Sequence, residues 1–316
     1  MKNNKTIYLC ILILLSFSFY PVMSAAQPRI PRPPVTIPAR QFSAILVAHG
    51  SANSNHNEKI ITLKNNVRSA PTSNPSMSGL EVALLGNNSL ARMDSALNYF
   101  HGRGARQILL IPLSPCSYIR HAEIKILAND KANGLGMPFQ FTLAPAMDDH
   151  PVAAEIIKEQ ARNKSVNPQN ESLLLFAYGP VEELENITWL RLLEQMGERI
   201  GKEVGFKEVE CATVRNHSAD LIAEQSIIDL RRKARALREN GRVIVVPYVF
   251  EDGPYTELQS YLSGIVPPED IVSEGFISNA KTKDWVQDVI TRGMRQPVVK
   301  EVNRHWSTEK GPKGNF

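Results

Sequence analysis

A chain of 316 residues, 43% hydrophobic and 22% charged, has ample apolar material for a core, which excludes a disordered or fibrous class. Its formal charge of +4 falls to +2 once Lys2 and Lys5 of the N-terminal leader are set aside, and that balance calls for neither nucleic acid nor a membrane surface as partner. Of three cysteines, Cys10 lies in the leader, and Cys116 and Cys211 are too far apart in sequence for a Cys-x-x-Cys metal site.

The leader comes first. Lys2 and Lys5 precede an apolar run from Ile7 to Phe19 and then Ser24-Ala25-Ala26, the order of a secretory signal over residues 1–26. The run is shorter than the about 20 residues a spanning helix needs, so an exported, periplasmic mature chain without a membrane span is expected; an uncleaved anchor is the alternative. Residues 27–41 carry Pro28, Pro31, Pro33, Pro34 and Pro38, too many for a helix or central strand, and read as an extended linker.

The fold begins with Ala44-Ile45-Leu46-Val47-Ala48-His49-Gly50-Ser51, an apolar run ending at a histidine. Branched Ile45 and Val47 in an unbroken apolar run predict a strand buried on both faces of a parallel sheet. Ligands of open α/β sheets bind at the carboxyl ends of strands, which is where His49 falls; the alternative is a histidine that only satisfies backbone groups in the turn. Ser54 or Asn55 then caps a helix carrying Ile60, Leu63 and Val67, and Pro71 to Gly79 reads as a polar loop. Leu80 to Leu85 predicts a second strand, and Ser89 caps a helix with Leu90, Met93, Leu97 and Phe100 that Gly102 and Gly104 end. Ile108 to Leu113 predicts a third strand, followed by a loop from Ser114 to Arg120, a short helix and a strand from Phe139 to Leu143. Asp148-Asp149-His150-Pro151 is a turn leading to a helix from Val152 to Asn163, with His150 favoured as its cap.

After a polar connector from Lys164 to Glu171 the order recurs. Leu173 to Pro180 mirrors Ala44 to Ser51 at an offset of 129 residues, with Tyr178 in place of the histidine, and Val243 to Tyr248 mirrors Ile108 to Leu113 at an offset of 135. Helices around Ile187 to Ile200 and up to Glu239, with a strand from Val209 to Val214 between them, fill the second copy. Two duplicated α/β domains, 42–165 and 166–295, are expected, each a parallel sheet flanked by helices, with a polar flexible tail over 296–316.

His49-Gly50-Ser51 after an apolar strand, the Ile111-Pro112-Leu113 strand end with His121 beyond it, Gly79 to Leu85, Ala146 to Pro151 and Val246-Pro247-Tyr248 together resemble the class II chelatases, in particular the two-domain sirohydrochlorin cobalt and iron chelatases. The similarity spans about Ser43 to Thr291. It implies two chelatase-like domains facing a cleft for a tetrapyrrole, a lyase-type insertion of a divalent metal, and no organic cofactor. The metal, Co²⁺ or Fe²⁺, is a substrate, and imidazole is a ligand that holds and releases such ions. His49 matches the first family histidine, as ligand and catalytic residue, and His121 stands for the second, with a solvated residue at a helix start as the alternative. Ser51, Ser114, Tyr178 and Glu251, in loops or at strand ends, are the candidate substrate-binding residues; for Glu251 a solvated turn is the alternative. The family glutamate after the second strand has no counterpart, since Gly86 and Asn87 stand there. An exported metal- or tetrapyrrole-binding protein without the reaction is therefore the competing expectation. A nucleotide-binding protein fits less well, since no Gly-rich phosphate loop follows any strand.

Overall fold

The computed structural model describes residues 42–49, 54–69, 77–85, 90–118, 121–252 and 254–295. The predicted signal, linker and tail, Gly50, Ser51, Gly86, Asn87 and the Ser89 cap lie outside them. Four strands, β1 (Phe42–His49), β2 (Met77–Leu85), β3 (Gln107–Pro112) and β4 (Gln140–Leu143), form one parallel sheet in the order β2-β1-β3-β4. Three more, β5 (Glu171–Tyr178), β6 (Glu208–Val214) and β7 (Arg242–Pro247), form a second parallel sheet in the order β6-β5-β7.

Side chains alternate across each strand, and the alternation separates the core into layers. Ala44, Leu46 and Ala48 of β1 and Leu173, Leu175 and Ala177 of β5 join one central cluster, while Ile45 and Val47 face an outer cluster of the first sheet and Leu174 and Phe176 one of the second. Helices α1 (Ser54–Ser69), α2 (Leu90–Gly102), α3 (His121–Gly134) and α4 (Pro151–Lys164) follow the first four strands in turn. Helices α5 (Glu183–Val204), α6 (Asp220–Glu239), α7 (Pro254–Leu262) and α8 (Thr282–Arg295) belong to the second half of the chain. Met93, Leu97 and Phe100 of α2 and Ile124 and Ala128 of α3 cover the outer face of the first sheet; Leu230 and Ala234 of α6 and Leu258 and Leu262 of α7 cover that of the second.

The two inner faces are covered by exchange. Helix α4 packs on β7 and α5 of the second half, and α8 returns to pack on β3 and α1 of the first. Gly293 of α8 shows how close that return is: a Cβ there would lie 2.7 Å from Leu109 Cδ2 of β3.

The two sheets also end alike. Pro112 and Pro247 are the last residues of β3 and β7, where proline costs no ladder bond that the next residue cannot supply. Leu113 N donates to Val47 O at 2.7 Å, and Tyr248 N donates to Phe176 O at 2.6 Å. Ala144 N donates to Leu110 O and Val272 N to Val245 O, so Ile271, bridged to Val245, takes the place that β4 has in the first sheet.

Three local expectations change. The second strand begins at Met77, inside the expected polar loop, because Ser78 Oγ donates to Phe42 O and ties that end to β1. The helix opened by His121 runs to Gly134 and is not short. The connector before β5 is partly ordered as a 3-10 turn over Pro168–Asn170.

Candidate functional site

His49 is the last residue of β1, in register with Leu85 of β2, and is exposed while the six residues before it are buried. Gly50 and Ser51 lie outside the described residues. The loop leaving the neighbouring β3 is well tied: Ser114 Oγ donates to Cys116 O at 3.1 Å, and Ser114 O accepts from Met147 N at 3.1 Å. Ser117 N donates to Asp148 Oδ1 at 2.7 Å, the Ser117 hydroxyl donates to Asp148 Oδ2, and Ala146 N donates to Ser117 Oγ at 2.9 Å. Asp148 holds a φ of +33°, and its carbonyl accepts the hydroxyl of Tyr248, so the two halves meet at this residue. Burial pushes the Asp148 carboxyl up to about 7 against the pull of its two bonds from Ser117, with the charge of Asp149 adding to the rise.

His121 opens α3, which starts from the loop leaving β3 at the same sheet edge as His49. Its side chain lies outside the described residues. Among the described residues no group of three or more His, Cys, Asp or Glu side chains is arranged around a metal position.

In the second half Tyr178 ends β5 as His49 ends β1, and it is engaged. Its hydroxyl donates to Glu257 Oε2 at 2.5 Å, Tyr261 donates to the other oxygen of the same carboxylate, and Trp189 Nε1 donates to the Tyr178 carbonyl at 3.1 Å. Burial, followed by the Glu257 carboxylate, holds the Tyr178 hydroxyl well above the usual phenol range, so it stays a neutral donor. Cys116 and Cys211 are both buried, and burial pushes the Cys211 thiol up to about 12, which keeps it from acting as a thiolate ligand at neutral pH.

Glu251 and Asp252, in the loop after β7, differ from each other. Asp252 is a staple: it accepts from Gly275 N at 2.7 Å and from Ser278 Oγ at 2.5 Å and pairs with Lys59 of α1. Glu251 is half-exposed, with Oε1 3.8 Å from Nε2 of His56. His56, which is not among the residues singled out from sequence, is 5% exposed. The signal was present: His56 lies four residues before Ile60, on the helix face that Leu63 and Val67 continue into the core.

His150 behaves as its position before Pro151 suggested. Its Nδ1 accepts from Val152 N at 3.2 Å, capping α4, and Nε2 donates to Asp288 of α8 at 3.0 Å. Burial lowers its pKa more than Asp288 raises it, so the ring is neutral and structural. A surface depression of about 660 Å³, lined by Arg235, Arg238, Ile265 and Pro267 among others, contains none of the strand-end residues.

The fold is similar to that of solved chelatase structures. SirB from Bacillus subtilis, solved with Fe³⁺, matches at 12% identity and a TM-score of 0.59, over 81% of this chain and 96% of that one. The sirohydrochlorin chelatase SirB from Bacillus subtilis subspecies spizizenii, in complex with cobalt, matches at 12% identity and a TM-score of 0.56, over 81% and 97%. A multi-domain Deinococcus radiodurans protein, described as structurally similar to chelatases with two additional domains, matches at 15% identity and a TM-score of 0.54, over 80% of this chain and 55% of that one. No protein-family model and no curated protein matches the chain.

Proposed function

We propose that this protein inserts a divalent metal, cobalt or iron, into a sirohydrochlorin-like tetrapyrrole. The observation that carries the reading is an exposed histidine ending a buried central strand, in a fold shared with SirB structures that hold iron and cobalt. His49 takes the incoming ion, with His121 as partner from the same sheet edge; neutral imidazole binds such ions and gives them up again. Ser51, Ser114, Tyr178 and Glu251 line the macrocycle. Insertion releases two pyrrole protons: His49 accepts one as the ion leaves its ring, and solvent water takes the other.

Residues 42–165 and 166–295 act as the two walls of the cleft, and the chain reaches the periplasm after cleavage near Ala26. A second reading, an exported protein that binds metal or tetrapyrrole without turnover, is favoured by Gly86 and Asn87 at the position of the family glutamate. One assay separates the two. Purified protein mixed with sirohydrochlorin and Co²⁺ or Fe²⁺ should change the absorbance of the macrocycle catalytically; a change limited to one equivalent per chain supports the binding protein, and no change rejects insertion and tetrapyrrole binding, leaving metal binding to be read by Co²⁺ titration. N-terminal sequencing of the protein from its source should begin near Gln27.

A further inference from the structure

His56 and Glu251 meet between α1 and the loop after β7, across the two halves of the chain. The His56 side chain is 4% exposed, and neither of its ring nitrogens has a hydrogen-bond partner among the described residues. A buried donor or acceptor left unmade is costly, so this ring needs an occupant. A protonated ring would bury two N–H donors without acceptors and a neutral ring one donor and one lone pair. A cation on Nε2 takes up the lone pair and leaves a single N–H.

The geometry fits an ion between the two side chains. Ligands at about 2.0 to 2.2 Å in tetrahedral coordination stand about 3.4 Å apart, so a small rotation of Glu251 closes the gap. The 3.8 Å separation and the 47% exposure of the Glu251 side chain leave room for that rotation. Nearby charge does not compete. Lys59, one turn along α1, is paired with Asp252, which is also held by Ser278 and Gly275.

We infer that His56 Nε2 and the Glu251 carboxylate form a second, weak site for a divalent transition-metal ion, distinct from His49. Two protein ligands leave the remaining positions to water, which suits an ion that exchanges quickly and is passed on rather than stored. Helix α1 follows the strand that His49 ends, so such a site would hold the substrate ion at the same sheet edge; that role rests on the proposed chelatase reading, whereas the site itself does not.

The test is Co²⁺ titration of the purified protein, followed by calorimetry and by the visible spectrum, on the wild type and on His49→Ala, His56→Asn and Glu251→Gln. Glu251→Gln alters a half-exposed side chain and guards against misfolding in His56→Asn; circular dichroism checks both. The expected result is a weak Co²⁺ equivalent in the wild type that survives in His49→Ala, is lost in His56→Asn and is weakened at least tenfold in Glu251→Gln. In ¹⁵N-labelled protein, substoichiometric Co²⁺ should broaden the His56 ring signals, also in His49→Ala. If His49→Ala removes all Co²⁺ binding, or if His56→Asn and Glu251→Gln both bind as the wild type does, the second site is overturned while the chelatase reading stands. If His49→Ala binds as the wild type does and the other two lose an equivalent, the second site stands and His49 loses its role.

Discussion

The carboxyl ends of β1 and β5 occupy corresponding places, since β2-β1-β3 and β6-β5-β7 share one order, and they differ in the residue that stands there. The residue that ends β1 is His49, an exposed imidazole, and the residue that ends β5 is Tyr178, a phenol that shares the Glu257 carboxylate with Tyr261. The correspondence continues beyond the strands. Asp148 N donates to Pro115 O and Ile277 N to Phe250 O, both at 2.9 Å, and the bonds that open α4 after His150 reappear before α8 at Asn279. One half therefore carries a histidine, a buried carboxyl and a capping imidazole where the other carries a tyrosine, an isoleucine and an asparagine. A repeated scaffold fixes where strand ends fall; it does not fix what stands on them.

The largest way to break this comparison is His49→Ala. The tighter Co²⁺ affinity should fall more than about 100-fold and metal insertion should stop, as titration and the sirohydrochlorin absorbance assay would read. Tyr178→Phe, at the corresponding place, should leave that affinity unchanged. Equal losses in the two variants would make the sheet ends alike in function after all.

Asp148 against Ile277 is next. Burial pushes the carboxyl from its ordinary 3.8 up to about 7 in the folded chain, so the fold prefers the protonated form. Its contribution is full below the unfolded value and is lost as pH rises through about 7, a swing of up to about 4 kcal/mol. Asp148→Asn should flatten this dependence, giving a variant that gains on the wild type as pH rises from 5 to 8 in urea unfolding. A wild type whose stability does not fall over that range would contradict the assignment.

Tyr178→Phe removes a hydrogen bond to a carboxylate and should cost about 1 to 2 kcal/mol in the same urea measurement, without moving metal affinity. The smallest effect is expected from His150→Ala, about 0.5 to 2 kcal/mol for loss of the α4 cap. His150→Asn, which copies the residue at the corresponding place before α8, should recover part of it.

The strands were legible because buried parallel strands are written as continuous apolar runs, and the Pro112 and Pro247 ends recur at an offset of 135 residues. Exchange of α4 and α8 was not legible. Ile156 and Ile157 of α4 fit any apolar surface, and no local spacing says which sheet receives them. At the site, His49 could be singled out from its strand, and the cap role of His150 from Pro151. The Tyr178–Glu257 bond spans 79 residues and the His56–Glu251 approach joins two different halves, so neither leaves a local pattern. His56 alone announced its burial, through its spacing from Ile60.

The exchanged helices also set an order of events for a chain made from its N-terminus. Leu109 and Ile111 of β3 face a core layer that includes Trp285, Val286, Val289 and Ile290 of α8. That face stays uncovered until residues 282–295 have been made and have come back to it, across most of the chain's length. The first sheet can form early but is sealed last. A chain cut before Thr282 would therefore display the apolar inner surface of β3, a ready surface for aggregation, although every strand of that sheet would be present.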